Sequence, residues 1–134
     1  MKPLAWDSRL AGVARGHSRD MAKRGYFSHE SPEGKNFADR YGTARYFCAV
    51  REGRATYGGA ENIWQGSRYA SVRIVNGVKS IDWNSEAKIA LTVVEDWMKS
   101  PGHRANILTA RLTREGIGLA IAADYRIYVT QNFC

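Results

Sequence analysis

Two histidines and one glutamate are the side chains of this 134-residue chain best suited to chemistry. His29 lies in YFSHESPEG, just beyond a predicted helix end, and His103 lies in SPGHRANIL, at the N-terminus of a short predicted helix. Glu61 lies in GGAENI, an otherwise apolar extended segment. A helix N-terminus disfavours the imidazolium at His103, and neutral imidazole is the form that binds metals. The position of His103 therefore suits metal coordination, and Glu61, if it is buried, needs a partner such as an imidazole or a metal-bound water.

The spacing of these residues alone does not identify a function. They are spread from position 29 to position 103 and match no short metal motif, and HExxH, GxSxG, Walker, GxGxxG and CxxC patterns are absent. The third histidine, His17, lies on the apolar stripe of a predicted helix. We interpret it as a packed residue with one satisfied nitrogen. Motif and composition by themselves predict no more than an α+β domain.

The composition is that of a globular protein, with 44% hydrophobic and 25% charged residues. No apolar run is long enough to cross a bilayer. The net charge of +7 favours anionic partners such as phospholipid, acidic polysaccharide or cell wall. Lysines and arginines are scattered and accompany no nucleic-acid motif, so nucleic acid is not an expected partner. The simplest interpretation of the charge is that it aids solubility.

The two cysteines, Cys48 and Cys134, are candidates for a disulfide, since their spacing is not that of a zinc cluster. The alternative is a pair of unrelated thiols, one of them exposed at the final residue. A bridge would indicate an oxidising compartment and would stabilise the fold by roughly 4 kcal/mol in the chain-entropy model. The chain starts without an apolar signal segment, so we expect any export signal to have been removed from it.

Local signals place most of the helices and strands. Asp7 is a predicted N-cap, and Gly25 a predicted helix end. Asn76-Gly77 between two β-branched runs predicts a hairpin turn. Asn84 or Ser85 is expected to cap a long helix that ends at Ser100-Pro101-Gly102, followed by a shorter helix from His103 to Leu108. The buried side of the long helix is predicted to comprise Ala87, Ile89, Ala90, Val93, Val94 and Trp97.

The remaining segments complete an α+β pattern. FSHESPEGKNFADRYG carries turn signals and about one helical turn, residues 48–60 read as irregular, and AENIWQG as a strand or extended segment. GIGLAIA and YRIYVTQNF are two strands joined near Ala123-Asp124. The last has large apolar side chains on both faces, as expected of a central strand. Helices on either side of hairpin-connected strands favour α+β, with a sheet covered on both faces.

Five stretches, in order, resemble the CAP superfamily of cysteine-rich secretory, antigen 5 and pathogenesis-related proteins, and most closely its short prokaryotic SCP-like extracellular members. They are PLAWDSRLAGVARGHSRDMA, YFSHESPEGKNFADR, GAENIWQG, VVEDWMKSPGHRANIL and REGIGLAIA with YVTQNF. The resemblance runs from the first residues to the last and implies one domain over 1–134. Residues 44–57 match poorly, and the hairpin at 69–82 looks like an insertion.

The resemblance implies a three-layer α-β-α sandwich with a central antiparallel or mixed sheet, at the cell surface or outside the cell. It also implies a central cleft in which His29 and His103 bind Zn²⁺ or another divalent metal beside Glu61. The family's second glutamate is replaced here by Ser100, which we therefore expect to line the cleft. The missing carboxylate lowers the negative charge at such a site.

Two functions remain open at this point. The first is an extracellular binding domain with a metal in the cleft and a surface for a lipid, a cell-wall glycan or a surface protein. The second is a metal-dependent extracellular hydrolase in which His29 and His103 hold the metal and Glu61 is the catalytic base. Two protein ligands are fewer than the three usual in catalytic zinc sites, which is a physical objection to the second.

Overall fold

The computed structural model describes residues 1–134. Its elements in chain order are β1 (Ala5–Trp6), α1 (Ser8–Arg24), α2 (Phe37–Thr43), β2 (Val50–Glu52), β3 (Ala55–Tyr57), β4 (Ala60–Ser67), β5 (Tyr69–Val75), β6 (Val78–Trp83), α3 (Glu86–Lys99), α4 (Pro101–Leu108), β7 (Arg114–Ile121) and β8 (Arg126–Phe133). None of the helices is long and apolar enough to cross a bilayer.

A four-stranded sheet in the order β1-β7-β8-β4 forms the centre of the molecule. β1 is parallel to β7, and the other pairs are antiparallel, so the sheet is mixed. Helix α1 packs on β7 and β8, and Val93 and Trp97 of α3 pack on the opposite side of β8, against Ile127 and Val129. The predicted α+β class and layered sandwich are confirmed. β8 is central and buried, as its sequence predicted.

Helix α1 begins and ends where the sequence predicted. The Asp7 side chain accepts from the N–H groups of Arg9 and Leu10, and Gly25 ends the helix in the left-handed conformation. The helix lies directly on the backbone of β7, because a Cβ on Gly118 would come within 2.0 Å of the Arg15 nitrogen. This close approach fixes the helix that leads into the His29 loop.

Three expectations about local structure were wrong. Residues 48–60 are not irregular: β2 and β3 form a short antiparallel hairpin that turns at Gly53, where φ is 61°. Helix α4 starts at Pro101 rather than His103, because proline fits the first helical position. Helix α2 has 7 residues rather than about one turn, and a capping box between Asn36 and Asp39 stabilises its start.

The buried side of α3 is narrower than its sequence predicted. Val93 and Trp97 are buried and Ile89 is half-buried, but Ala87, Ala90 and Val94 are exposed. The physical reason is that the space between this part of α3 and the sheet is not filled by other side chains. A cavity lies there instead.

Cys48 and Cys134 form a disulfide with a Cα–Cα distance of 5.8 Å. The bridge joins the segment before β2 to the end of β8. The Asn76-Gly77 turn also forms as predicted, with positive φ at both residues, and it joins β5 to β6 in a separate two-stranded sheet.

Candidate functional site

His29 and His103 line one open pocket beside β4, the edge strand of the sheet. His29 follows α1, and His103 lies in α4 on the opposite side of the sheet, so the two layers meet at this edge. The other lining residues are Phe27, Ser28, Glu30 and Ile63. Glu61 is not among them, although it contacts His29.

The Glu61 carboxylate is buried in a network of donors. Its Oε1 lies 2.9 Å from His29 Nδ1, and its Oε2 accepts from Arg40 Nη2 at 2.5 Å and from Asn132 Nδ2 at 2.9 Å. The Glu61 side chain is 1% exposed, whereas that of His29 is 49% exposed. The sheet register sets the Asn132 contact, because Glu61 in β4 pairs directly with Asn132 in β8. Oε2 therefore accepts two hydrogen bonds and Oε1 accepts one.

The pKa of Glu61 is lowered despite its burial. Burial by itself would raise the pKa, but the hydrogen bond from His29, the charge of Arg40 and the bonds from Arg40 and Asn132 outweigh it. The pKa of His103 is also lowered, first by burial and then by the neighbouring charge of His29. The site thus holds an ionised carboxylate and favours neutral imidazole at His103.

A chain of side-chain amides holds α4 against the sheet. Asn106 Nδ2 donates to Asn62 Oδ1 at 2.8 Å, and Asn62 Nδ2 donates to Gln131 Oε1 at 3.1 Å. Gln131 Nε2 donates in turn to Glu115 Oε2 at 2.6 Å. Asn62 Nδ2 also reaches the His103 carbonyl at 3.1 Å. The asparagines of the ENI and HRANIL stretches thus position the backbone that carries His103.

His17 is the packed residue that its sequence context indicated. It is 1% exposed, and its Nε2–H donates to the Ser28 carbonyl at 2.8 Å. Arg40 Nη1 donates to the next carbonyl, that of His29, at 3.1 Å. These two bonds hold the backbone of the loop from which His29 reaches Glu61.

The donors at this site are fewer than the three protein ligands usual in a catalytic zinc centre. No group of three or more His, Cys, Asp or Glu side chains is arranged to hold one metal ion. The His29 Nδ1–H is oriented by a carboxylate, which is typical of histidines that bind metal through the other nitrogen. Ser100 lies outside the pocket, at the junction of α3 and α4, where its backbone N–H donates to the Trp97 carbonyl at 3.2 Å.

A second cavity, which we call the α3 cavity, opens between α3 and the sheet and has a volume of about 400 Å³. Ten of its thirteen lining residues are hydrophobic. They are Ile89, Ala90, Val93, Val94, Trp97, Ile117, Leu119, Ile121, Ile127 and Val129. Its polar lining consists of Arg68, Asn84 and Glu86. A mainly apolar lining with a few polar groups is the combination that an amphiphile requires.

Sequence reasoning did not identify Arg40, Asn132 or the α3 cavity. Arg40 lies in a short helix, and no local pattern marks it as the partner of a residue 21 positions away. Asn132 had a weak signal, because strand alternation predicts that it shares a face with Thr130 and Tyr128. No sequence signal indicated the α3 cavity, because helical periodicity identifies an apolar face without showing what covers it.

Comparisons with known proteins agree with this architecture. Residues 1–133 match the profile of the cysteine-rich secretory protein family, CAP. The chain is 33% identical to two Bacillus subtilis (strain 168) proteins, over 97% of its length to "uncharacterized membrane protein YlbC" and over 88% to "uncharacterized protein YkwD". It spans 28% and 35% of those relatives' lengths, respectively.

Two solved structures resemble the fold over 99% of this chain, each with a TM-score of 0.65. One is an extracellular protein containing an SCP domain from Bacillus anthracis, 28% identical, of which 34% is covered. The other is an outer surface protein from Borrelia burgdorferi, of which 77% is covered. The second is 14% identical and shows the fold alone.

Proposed function

Because the chain belongs to the cysteine-rich secretory protein (CAP) family, we propose that it is a lipid-binding domain of an extracellular or surface protein and that the α3 cavity holds an acyl chain. An extracellular location is supported by the Cys48–Cys134 disulfide, since such bonds persist in oxidising compartments. The description of the Bacillus anthracis neighbour as an extracellular protein also supports it.

The α3 cavity is the observation that carries the proposal. Its volume of about 400 Å³ lies within the range of about 300–1,000 Å³ typical of small-molecule sites. Leaving Ala90, Val94 and Leu119 beside an unfilled cavity forgoes burial that folding would otherwise favour. An acyl chain would bury these side chains and regain that free energy.

The polar residues of the cavity suit the head of an amphiphile. Arg68 pairs with no carboxylate and lies over the Trp83 ring, 5.6 Å from its centroid. Asn84 and Glu86 supply further polar groups, with an N–H donor and a carboxylate acceptor. A glycan would require many polar contacts along the whole cavity, and the ten hydrophobic lining residues do not offer them. The lining therefore favours a lipid over a glycan.

Titration with cis-parinaric acid, a fluorescent fatty acid, tests this proposal. In Ala90→Trp the indole should fill the α3 cavity and weaken binding at least about tenfold. Leu91→Trp is the matched control, because Leu91 is the next residue of α3, is 60% exposed and does not line the cavity. Equal affinities of Ala90→Trp and the wild type would refute the proposal.

A divalent metal at His29 and His103 is a second candidate function, supported by their shared pocket and by the lowered pKa of His103. Zn²⁺ bound there would supply a charged centre for an anionic ligand, and the chain's role would be to orient the imidazoles. Calorimetric zinc titration tests it. The wild type should give a binding isotherm that the His29→Ala/His103→Ala variant lacks, and identical traces would exclude the site.

The hydrolase alternative finds less support in the geometry. A general base needs a free lone pair aimed at the water that it deprotonates. Oε2 of Glu61 accepts two hydrogen bonds, the side chain is 1% exposed, and the pairing with Arg40 lowers the basicity of the carboxylate. Comparing wild type and Glu61→Gln on peptide, ester and wall-polymer substrates tests this directly, and zinc-dependent turnover that Glu61→Gln abolishes would favour the hydrolase.

A further inference from the structure

The β5–β6 hairpin projects from the body of the domain. Its strands of 7 and 6 residues pair only with each other, in a sheet separate from the central one. At about 3.3 Å per residue, each strand spans roughly 20 Å. The residues of β5 are all exposed. A two-stranded ribbon of this kind gains little stability by itself, so its position depends on how its base is held.

Aromatic packing and backbone hydrogen bonds fix the base of the hairpin to the β7–β8 turn. The Trp83 ring lies 5.0 Å from that of Tyr125 and 6.5 Å from that of Tyr69, centroid to centroid, in edge-on arrangements. The Arg68 N–H donates to the Tyr125 carbonyl at 3.0 Å, and the Asn84 N–H donates to the Arg68 carbonyl at 2.8 Å. These contacts therefore fix the orientation of the hairpin relative to the domain.

The tip of the hairpin is apolar and unprotected. Ile74, Val75 and Val78 are 73%, 61% and 68% exposed, respectively, and they flank the Asn76-Gly77 turn. Because side chains alternate along a strand, Ile74 and Val75 point to opposite faces of the ribbon. A groove on a protein would cover one face only. The interior of a lipid surface contacts an inserted tip from all sides, and this arrangement of side chains fits that environment.

The charges of the hairpin suit an anionic lipid surface. Residues 68–83 contain three basic side chains and one acidic side chain, Asp82, which pairs with Arg73 at 2.9 Å. Arg68 and Lys79 have no carboxylate partner, and the whole chain carries +7.

We propose that the β5–β6 hairpin is a membrane-docking element. Its tip, Ile74, Val75 and Val78, inserts into the interface of an anionic bilayer while Lys79, which pairs with Ile74 next to the turn, contacts the headgroups. Apolar burial supplies the affinity, and the net positive charge of the chain draws the domain to the surface. This inference does not depend on lipid binding in the α3 cavity, because the hairpin tip lies outside the cavity lining.

Sedimentation with vesicles tests the proposal. The wild type should bind vesicles of equal parts phosphatidylcholine and phosphatidylglycerol and bind pure phosphatidylcholine much less, with affinity falling as salt rises. Ile74→Thr/Val78→Thr keeps the β-branched side chains and should bind at least about tenfold more weakly, since it removes apolar burial. Leu91→Gln is the matched control, an exposed apolar residue outside the hairpin, and should bind like the wild type.

A tryptophan at the tip reports on insertion itself. In Val75→Trp the emission should shift to the blue when the mixed vesicles are added, relative to the wild type. No binding by the wild type, equal binding by Ile74→Thr/Val78→Thr, or an unshifted spectrum would each overturn the proposal. The same three results are expected if the hairpin tip binds a protein partner rather than a membrane. A melting temperature like that of the wild type shows that the Ile74→Thr/Val78→Thr variant is folded, whether or not the α3 cavity binds cis-parinaric acid, so the two proposals fail separately.

Discussion

Arg40 and Glu61 form a buried ion pair in which Nη2 lies 2.5 Å from Oε2, and this pair joins the α2 layer to the edge of the central sheet. The two side chains are 15% and 1% exposed. Arg40 also donates to the carbonyls of His29 and Lys35, so one guanidinium neutralises the carboxylate and fixes the loop in front of it. The candidate cleft is therefore held in place by the positively charged guanidinium of Arg40.

Replacing Arg40 should destabilise the fold strongly. Arg40→Met leaves the Glu61 charge buried without its partner, and breaking such a pair costs about 3–5 kcal/mol. Adding Glu61→Gln should recover part of that loss. Urea denaturation measures both changes. Arg73→Met is the matched control at an exposed pair and should change the unfolding free energy by less than about 1 kcal/mol; an equal loss in the two arginine variants would contradict this account.

Two glycine-to-alanine substitutions should change the stability of the protein in opposite directions. Gly118→Ala places a methyl group 2.0 Å from the Arg15 backbone nitrogen, so α1 must move away from β7 and thermal stability should drop. Gly16→Ala, in α1 itself, meets no atom within 4 Å and should gain about 0.5–1 kcal/mol from helix propensity. Thermal unfolding of both variants checks this. A neutral Gly118→Ala would mean that the helix does not rest on that strand.

Stability should decrease as the pH falls, partly because of His17. Its pKa is lowered from 6.5, first by burial and then by the charge of Arg40, while Glu61 and Asp20 oppose the shift. The unfolded chain therefore takes up this proton at a higher pH than the folded protein. The contribution of His17 is fully present above pH 6.5 and is lost as the pH falls toward the folded-state pKa.

His17→Gln isolates that contribution. Other titrating groups act equally in both proteins, so they cancel when the two unfolding free energies are subtracted. The advantage of wild type over His17→Gln should shrink as the pH falls below 6.5, in urea denaturation at several pH values. A difference that stays constant with pH would show that His17 is protonated or accessible in the folded state.

Removing Asn62 should loosen α4. Asn62→Ala leaves Gln131 Oε1 without its donor and removes the shorter of the two hydrogen bonds from Asn106 Nδ2, and an unsatisfied buried group costs about 1–3 kcal/mol. The effect should concentrate in α4, because the bond to the His103 carbonyl is also lost. Hydrogen exchange measures it: amides of α4 should exchange faster while those of α1 change only by the global loss. If amide exchange became faster by the same factor in α1 and α4, Asn62 would not act locally on α4.

Much of the local structure could be predicted because its signals are local. The Asp7 cap, the Gly25 stop and the Asn76-Gly77 turn each depend on a few neighbouring residues, and all three form as expected. The pairing of His29 with Glu61 followed only from the family resemblance, since their contact bridges 32 positions. Caps and turns can be predicted from a few neighbouring residues, whereas contacts between residues distant in the chain cannot.

The role of Arg40 and the α3 cavity escaped prediction because both depend on tertiary packing. The Arg40 side chain of α2 reaches Glu61 at the start of β4, and no periodicity encodes that approach. Helix α3 carries a regular apolar stripe, and the stripe predicted a fully covered face. Ala90 and Val94 instead line the α3 cavity, because the opposing strand β7 does not fill the space. The sequence pattern predicts which face of a helix is apolar, but it does not show which part of the protein covers that face.

The occupancy of the α3 cavity is the central claim, and isotope-filtered NMR with a fatty acid tests it most directly. Palmitate added to isotope-labelled protein should give nuclear Overhauser contacts between its methylene protons and the methyl groups of Val93, Ile117 and Ile127. Those three side chains line the cavity from α3, β7 and β8. Contacts confined to other surfaces, or none at all at saturating palmitate, would contradict the account.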